Sequence, residues 1–166
     1  MKLILTSISI FLALAMSRFI PHPPNFTSLI ALSFYVPVLL GLRFLPALII
    51  SFAITDLIIG YHSGTHWTWG SVLVIGLMSQ YFGKNINLRL IGSLFGASIF
   101  FLITNFGVWI SGYYGLNLNG LIQSYFFALP FFGYTILSTL IFSVIIEAIY
   151  KIYSGNFEKY FKFNKR

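Results

Sequence analysis

Most side chains able to bind a small molecule fall near the ends of apolar runs, on one side of the predicted fold. They are His22, Asn25, His62, His66, Trp67, Asn105 and Trp109. Ligand sites combine aromatic walls with a few polar groups that fix orientation. An aromatic belt at a membrane surface would explain the tryptophans, but it would not explain why histidine and asparagine collect on the same side. The sequence therefore predicts a substrate-binding site formed by these residues together with Asp56.

Asp56 is the one acidic residue in the central part of any apolar run. An ionisable group inside a membrane is costly, so it indicates a functional site with a partner. Arg18, at the end of the first run, is expected at a similar depth and is the candidate partner. Two interpretations stay open. Asp56 faces a bound molecule, or Arg18 and Asp56 form a structural ion pair that ties two helices together.

His62 and His66 are four residues apart, a spacing that can place two imidazoles on one helix face to ligate a metal. Residues 63–65 are typical of a loop, so hydrogen bonding is the alternative role. A metal-dependent membrane enzyme using Asp56, His62 and His66 is accordingly one alternative function. The main expectation is a protein that is not an enzyme, with no catalytic residue, metal or cofactor, because the sequence has no HExxH, no P-loop and no cysteine.

These residues belong to a chain of 166 residues that is 58% hydrophobic and 8% charged, with a mean hydropathy of +0.89. A soluble domain carries about 25% charged residues, so this chain has too few charges to cover a water-facing surface. The composition excludes a soluble enzyme, a disordered segment and a free nucleic-acid-binding domain. Long apolar runs without period-2 alternation predict an all-α polytopic membrane bundle.

Six transmembrane helices are predicted in a single domain of residues 1–153. Their approximate ranges are 3–20, 27–42, 44–61, 68–83, 88–112 and 131–152. Two of the runs are short, which predicts kinking or shielding by neighbouring helices. Pro130 is expected to divide a short interfacial segment from the last spanning helix. Near the end of that helix, Glu147 and Lys151 are four residues apart and predict a structural ion pair.

The cations are unevenly distributed between the two sides of the predicted bundle. Nine of the ten Lys and Arg residues, all except Arg18, fall on one side. The positive-inside rule then places both termini in the cytoplasm. The basic and aromatic tail of residues 154–166 is expected to lie on anionic lipid there.

The first apolar run allows a second interpretation, because residues 13–15 imitate the cleavage site of a signal peptide. Cleavage would leave five spans and an external N-terminus. Ser9, Ala13 and Ser17 form a stripe of small residues that instead favours a retained helix in close contact with a partner helix.

Several segments together resemble an uncharacterised family of bacterial proteins to which a transport role is ascribed. They are Arg18 with residues 21–27, residues 56–62, residues 105–109 and residues 130–132. That family looks related to the substrate-binding S components of energy-coupling-factor transporters, which include solitary vitamin B12 transporters. The resemblance covers essentially residues 1–153.

The resemblance implies a six-helix bundle that captures a vitamin-like molecule at its outer end for uptake. It also implies a membrane coupling subunit with ATPases as a partner, contacted through small residues on the first helix. Solitary B12 transporters use a cysteine as cobalt ligand. This chain has no cysteine, so a histidine would have to take that role. An accessory membrane subunit without transport activity is a further alternative, and no nucleic-acid partner is expected.

Overall fold

The computed structural model describes the backbone of residues 2–163 and the side chains of residues 3–154, and it contains no β-strand within them. The predicted all-α class is confirmed. Seven α-helices follow one another along residues 2–163. They are α1 (Lys2–Phe19), α2 (Leu29–Tyr35), α3 (Leu45–Ile59), α4 (Thr65–Ser79), α5 (Ile86–Ile110), α6 (Leu118–Phe126) and α7 (Leu129–Phe163).

Three helical segments are long and apolar enough to cross a membrane within the described part of the chain. They are Leu42–Ile59, Ile86–Ile110 and Leu129–Ser154, and two shorter apolar helices cover Leu3–Phe19 and Leu29–Leu40. A spanning helix needs about 20 residues, or roughly 30 Å at 1.5 Å per residue. Length and composition therefore support three spans directly, and a count of six depends on the shorter helices.

The short helix α2 lies at the centre of the bundle. All seven of its residues are buried, and it packs against α4, α5 and α7. A π-helical segment at Val36–Leu40 continues it and contains Pro37, whose missing N–H disrupts regular α-helical bonding. Neighbouring helices thus shield α2 from the surroundings. This shielding allows a short and interrupted helix at this position.

Glycines allow α5 to lie close to α2 and α4. A Cβ atom on Gly92 would come within 2.6 Å of the Phe34 ring, and one on Gly96 would lie 3.0 Å from Ile75. Both glycines are buried. The GxxxG spacing therefore marks a close helix contact, as such spacing does in other membrane helices.

Pro130 is the second residue of α7, so the last apolar run divides where the sequence predicts. The separate helix α6 is amphipathic and begins at an N-cap, where the Asn117 side chain accepts a hydrogen bond from Gly120 N at 2.8 Å. It is attached to α5 because Tyr125 Oη donates to the Leu102 carbonyl at 2.8 Å, and burial raises the pKa of the Tyr125 phenol. The helical backbone of α7 continues into the predicted tail of 154–166, whose side chains after Ser154 lie outside the described residues.

Each end of the bundle contains one buried ion pair between an arginine and a carboxylate. We call the two ends the Arg18 end, which contains the loops at 20–28, 60–64 and 111–117, and the Arg89 end. At the Arg89 end, Arg89 donates through Nε and Nη2 to both carboxylate oxygens of Glu147, at 2.6 and 2.7 Å. The predicted pairing of Glu147 with Lys151 is wrong, because Glu147 points into the bundle and is 6% exposed whereas Lys151 is exposed.

Candidate functional site

An ion pair between Arg18 and Asp56 forms the base of the site at the Arg18 end. Arg18 Nη2 lies 2.6 Å from Asp56 Oδ1, and the two side chains are 13% and 9% exposed. Arg18 occupies the last turn of α1 and Asp56 the last turn of α3. The pair therefore joins two helices that pack along each other, as the structural interpretation of Asp56 requires.

The second carboxylate oxygen of Asp56 is also occupied. Trp69 Nε1 on α4 donates to Asp56 Oδ2 at 2.6 Å. Arg18 Nη1 donates to Thr55 Oγ1, and the guanidinium lies 4.7 Å from the centre of the Phe52 ring. A buried ion pair is tolerated when further hydrogen bonds satisfy its remaining donors and acceptors, and this cluster meets that condition.

A cavity of about 240 Å³ lies against this ion pair. Both Arg18 and Asp56 line it, so the two interpretations of Asp56 are compatible: the residue is paired and it borders a space for a ligand. Six further polar residues line the same space, and three of them belong to the predicted site. They are His22, Asn25 and His62 of that site, with Thr27, Thr68 and Thr135.

A wider cavity of about 680 Å³ lies beside the first, and His62 and Thr68 line both. Its other walls include His66, Trp67 and Tyr114. Trp67 packs directly on α5 because Gly107 leaves room for it, since a Cβ there would come within 2.4 Å of the indole. The wide cavity has aromatic walls and the small one a charged base, which together suit a molecule with an apolar ring and polar edges.

Asn105 and Trp109 do not line either of these cavities. Asn105 borders a smaller space of about 70 Å³ together with Asn25, and its Nδ2 donates to the Phe101 carbonyl of its own helix at 2.7 Å. Trp109 Nε1 donates to the Asn117 carbonyl at 3.2 Å. Both residues lie on α5. The Asn105 side chain bonds to its own helix, and the Trp109 side chain bonds to the loop that follows it.

The histidines make local contacts in the loops of the Arg18 end. His62 Nδ1 accepts a hydrogen bond from Gly64 N at 3.2 Å, and α3 ends at Ile59, before His62. His66 lies in the first turn of α4, with its ring 5.4 Å from the Trp67 ring. No group of three His, Asp or Glu residues comes together as a metal site among the side chains the structure describes.

The small residues of α1 divide into two groups. Ser9 and Ala13 are exposed, which leaves them accessible to a partner helix. Ser17 instead faces inward, with its Oγ 2.7 Å from Ser28 Oγ, and so holds α1 to the start of α2.

Two residues at this end are absent from the predicted site. Trp69 bonds to Asp56, and the general signal for it is that a buried indole N–H needs an acceptor. Thr68 lines both cavities, and no spacing in the sequence identifies it.

The fold and this site define an all-helical bundle with a polar cavity at one end and three described helices that are able to cross a membrane. The chain belongs to a family of unknown function, DUF6580, whose family model matches residues 1–160. No curated protein and no solved structure matches it significantly.

Proposed function

We propose that this protein is a multi-pass membrane protein that binds a vitamin-like small molecule at the Arg18 end and takes part in its uptake. The observation that carries the proposal is the small cavity on the Arg18–Asp56 pair, which adjoins a wider cavity with aromatic walls. The resemblance of residues 1–153 to S components of energy-coupling-factor transporters agrees with this use of the cavity.

In this proposal the Arg18–Asp56 pair and His62 fix the polar edges of the ligand, and Trp67 provides stacking area. The carboxylate of Asp56 is already bonded to Arg18 and Trp69, so it organises the cavity base and presents little free charge. A ligand that is neutral or carries balanced charges suits such a base better than a strongly ionic one. The ligand can drive release only through a difference in its affinity for two conformations.

The proposal also includes six spans of a bacterial inner membrane, with both termini in the cytoplasm. Arg18 and Arg89 are both buried in ion pairs and do not count as loop cations, which leaves eight cations on one side and none on the other. Because the chain has no cysteine, cysteines introduced one at a time can be labelled to test the orientation. A membrane-impermeant maleimide should label Ser63→Cys in intact cells and Lys84→Cys only after permeabilisation. The reverse pattern would overturn the orientation.

Exposed Ser9 and Ala13 support a partner helix, which in this proposal belongs to a membrane coupling subunit driven by ATPases. The metal-dependent enzyme is less well supported, because the Asp56 oxygens are engaged and His62 and His66 lie in different local structures. The accessory-subunit alternative predicts that the cavity binds nothing.

Mass spectrometry of small molecules released from the purified protein tests the proposal. We expect a bound organic compound in the wild type and its loss in Thr68→Leu, because the larger side chain reduces the space at the wall that both cavities share. The matched control is Ser98→Leu on α5, where a half-buried hydroxyl likewise bonds to its own helix. A wild type that carries no compound from any growth medium would contradict ligand capture. Stoichiometric metal alone would favour the enzyme.

A further inference from the structure

Two histidines line the small cavity at the Arg18 end from two different loops. His22 lies in the loop between α1 and α2, and His62 lies in the loop between α3 and α4. A neutral imidazole has one nitrogen that donates a hydrogen bond and one that accepts, so the bond made by one nitrogen fixes the role of the other. The hydrogen bonds within each loop therefore determine what each ring offers to a ligand.

The loop at His22 fixes the Nδ1 of that ring as a donor. This nitrogen lies 2.7 Å from the carbonyl oxygen of Pro23, and a carbonyl oxygen can only accept a hydrogen bond. The hydrogen of the neutral ring is therefore on Nδ1, and Nε2 keeps its lone pair. Neutral His22 is thus a hydrogen-bond acceptor toward the cavity.

The loop at His62 fixes the opposite arrangement. The backbone N–H of Gly64 donates to His62 Nδ1 at 3.2 Å, so this nitrogen carries no hydrogen and the ring is neutral. The hydrogen is on Nε2, which is therefore a donor. The two rings are complementary, because one accepts a hydrogen bond where the other donates one.

The base of the cavity adds no unbalanced charge to this pair of groups. Arg18 is paired with Asp56, and the other Asp56 oxygen accepts from Trp69. A carboxylate ligand has only acceptors, so it would face the lone pair of His22. An ammonium ligand has only donors, so it would face the N–H of His62. Each would leave one ring nitrogen without a partner, and a site built to hydrogen-bond a polar group discriminates against ligands that lack it.

We propose that the captured ligand is a neutral nitrogen heterocycle whose edge carries an N–H donor beside a carbonyl acceptor, as in a lactam or a cyclic urea. This assignment rests on the proposed function and specifies its substrate class. The ligand N–H donates to His22 Nε2, and the ligand carbonyl accepts from His62 Nε2. The apolar part of the heterocycle extends past Thr68 into the wide cavity, where Trp67 provides an aromatic face.

Two bicyclic probes that differ by one methyl group test the assignment. Isocarbostyril has both a ring N–H and a carbonyl, whereas N-methylisocarbostyril has only the carbonyl. Quenching of tryptophan fluorescence in the detergent-solubilised full chain measures the two affinities. We expect the methylated probe to bind about 2- to 10-fold more weakly, as the loss of one neutral hydrogen bond predicts.

Asparagine variants identify which histidine recognises which group of the probe. In His22→Asn and His62→Asn the amide replaces Nδ1 and keeps the loop hydrogen bond, but Nε2 is lost. His22→Asn should bind both probes equally, because the acceptor for the ligand N–H is gone. His62→Asn should bind both probes more weakly and still prefer isocarbostyril. The control is Asn119→Ala, which should keep the wild-type affinities because Asn119 is exposed and lines neither cavity.

Nitrogen NMR of isotope-labelled histidine measures the two tautomers directly. At mildly alkaline pH we expect the hydrogen on Nδ1 of His22 and on Nε2 of His62 in the probe-free protein. The same tautomer in both rings, or equal affinity of the wild type for the two probes, would overturn the proposal. A copurified compound without a donor and acceptor edge would overturn this substrate class and leave ligand capture intact. A wild type that binds neither probe and releases no compound would overturn both.

Discussion

Trp69 on α4 donates its indole N–H to Oδ2 of Asp56 on α3 at 2.6 Å, opposite the oxygen that Arg18 binds. Asp56 thereby joins α1, α3 and α4 through one carboxylate. Two donors on two different helices hold the charge in place at the base of the cavity, so its position depends on the packing of all three helices.

Removing the Trp69 hydrogen bond should destabilise the protein. Trp69→Phe keeps the aromatic ring but leaves one buried carboxylate oxygen without its donor, which costs about 1.5–3 kcal/mol for a bond to a charged group. Unfolding in mixed detergent micelles measures the change. Trp109→Phe is the matched control and should cost about 0.5–1.5 kcal/mol, because its partner is a neutral carbonyl. Equal losses in the two variants would contradict the assigned role of Trp69.

Arg18 and Asp56 should be strongly coupled in a double-mutant cycle. Removing either partner leaves an uncompensated buried charge, with an expected cost of about 3–5 kcal/mol for Arg18→Met or Asp56→Asn. The double variant should cost clearly less than the sum of the single variants. The free energies of unfolding of the four proteins give the coupling. Additive losses would show that the two charges do not interact.

The partner of Glu147 can be tested by comparing two cations. Arg89→Met should lower the free energy of unfolding by about 3–5 kcal/mol, since it leaves Glu147 buried and unpaired. Lys151→Met should change it by less than about 0.5 kcal/mol, the usual range for an exposed position. If Lys151→Met proved the more damaging change, the helical pair expected from the sequence would be correct and the buried pair wrong.

Gly107 should be sensitive to the smallest increase in size. In Gly107→Ala the new methyl group would overlap the Trp67 indole, and overpacking of this kind typically costs about 1–3 kcal/mol. The displaced indole should also alter tryptophan fluorescence and reduce ligand retention, because Trp67 lines the wide cavity. Gly70→Ala serves as control, with no atom within 4 Å of its added Cβ. Wild-type fluorescence and retention in Gly107→Ala would contradict the close packing.

Local patterns predicted the helical class and several element ends correctly. The division at Pro130 follows from a restraint that proline imposes on its own backbone. The third helix ends at Ile59, two residues before the predicted boundary at residue 61, because Gly60 follows with a φ of +134° that glycine adopts readily. The loop expected at residues 63–65 is present only in part, because Thr65 already belongs to α4.

The sequence predicted which residues belong to the candidate site better than it predicted how those residues are arranged. His22, Asn25, Asp56 and His62 do line one cavity, and Arg18 meets Asp56 as the pairing interpretation expected. Asn105 and Trp109 are four residues apart near the same end of α5, but neither lines this cavity. Spacing along one helix does not fix which neighbours a side chain meets, and their side chains hydrogen-bond to Phe101 and Asn117.

By itself the sequence determined that this chain forms apolar helices and that its few charges must find partners. Those properties depend on composition and on spacings of a few residues, which act locally. Only the tertiary structure decided that Glu147 pairs with Arg89, 58 residues away, and not with Lys151 in the next turn. It likewise decided that Trp69 binds Asp56. Both choices depend on which helix faces meet, and burial then makes the better-placed distant donor outweigh the nearby exposed one.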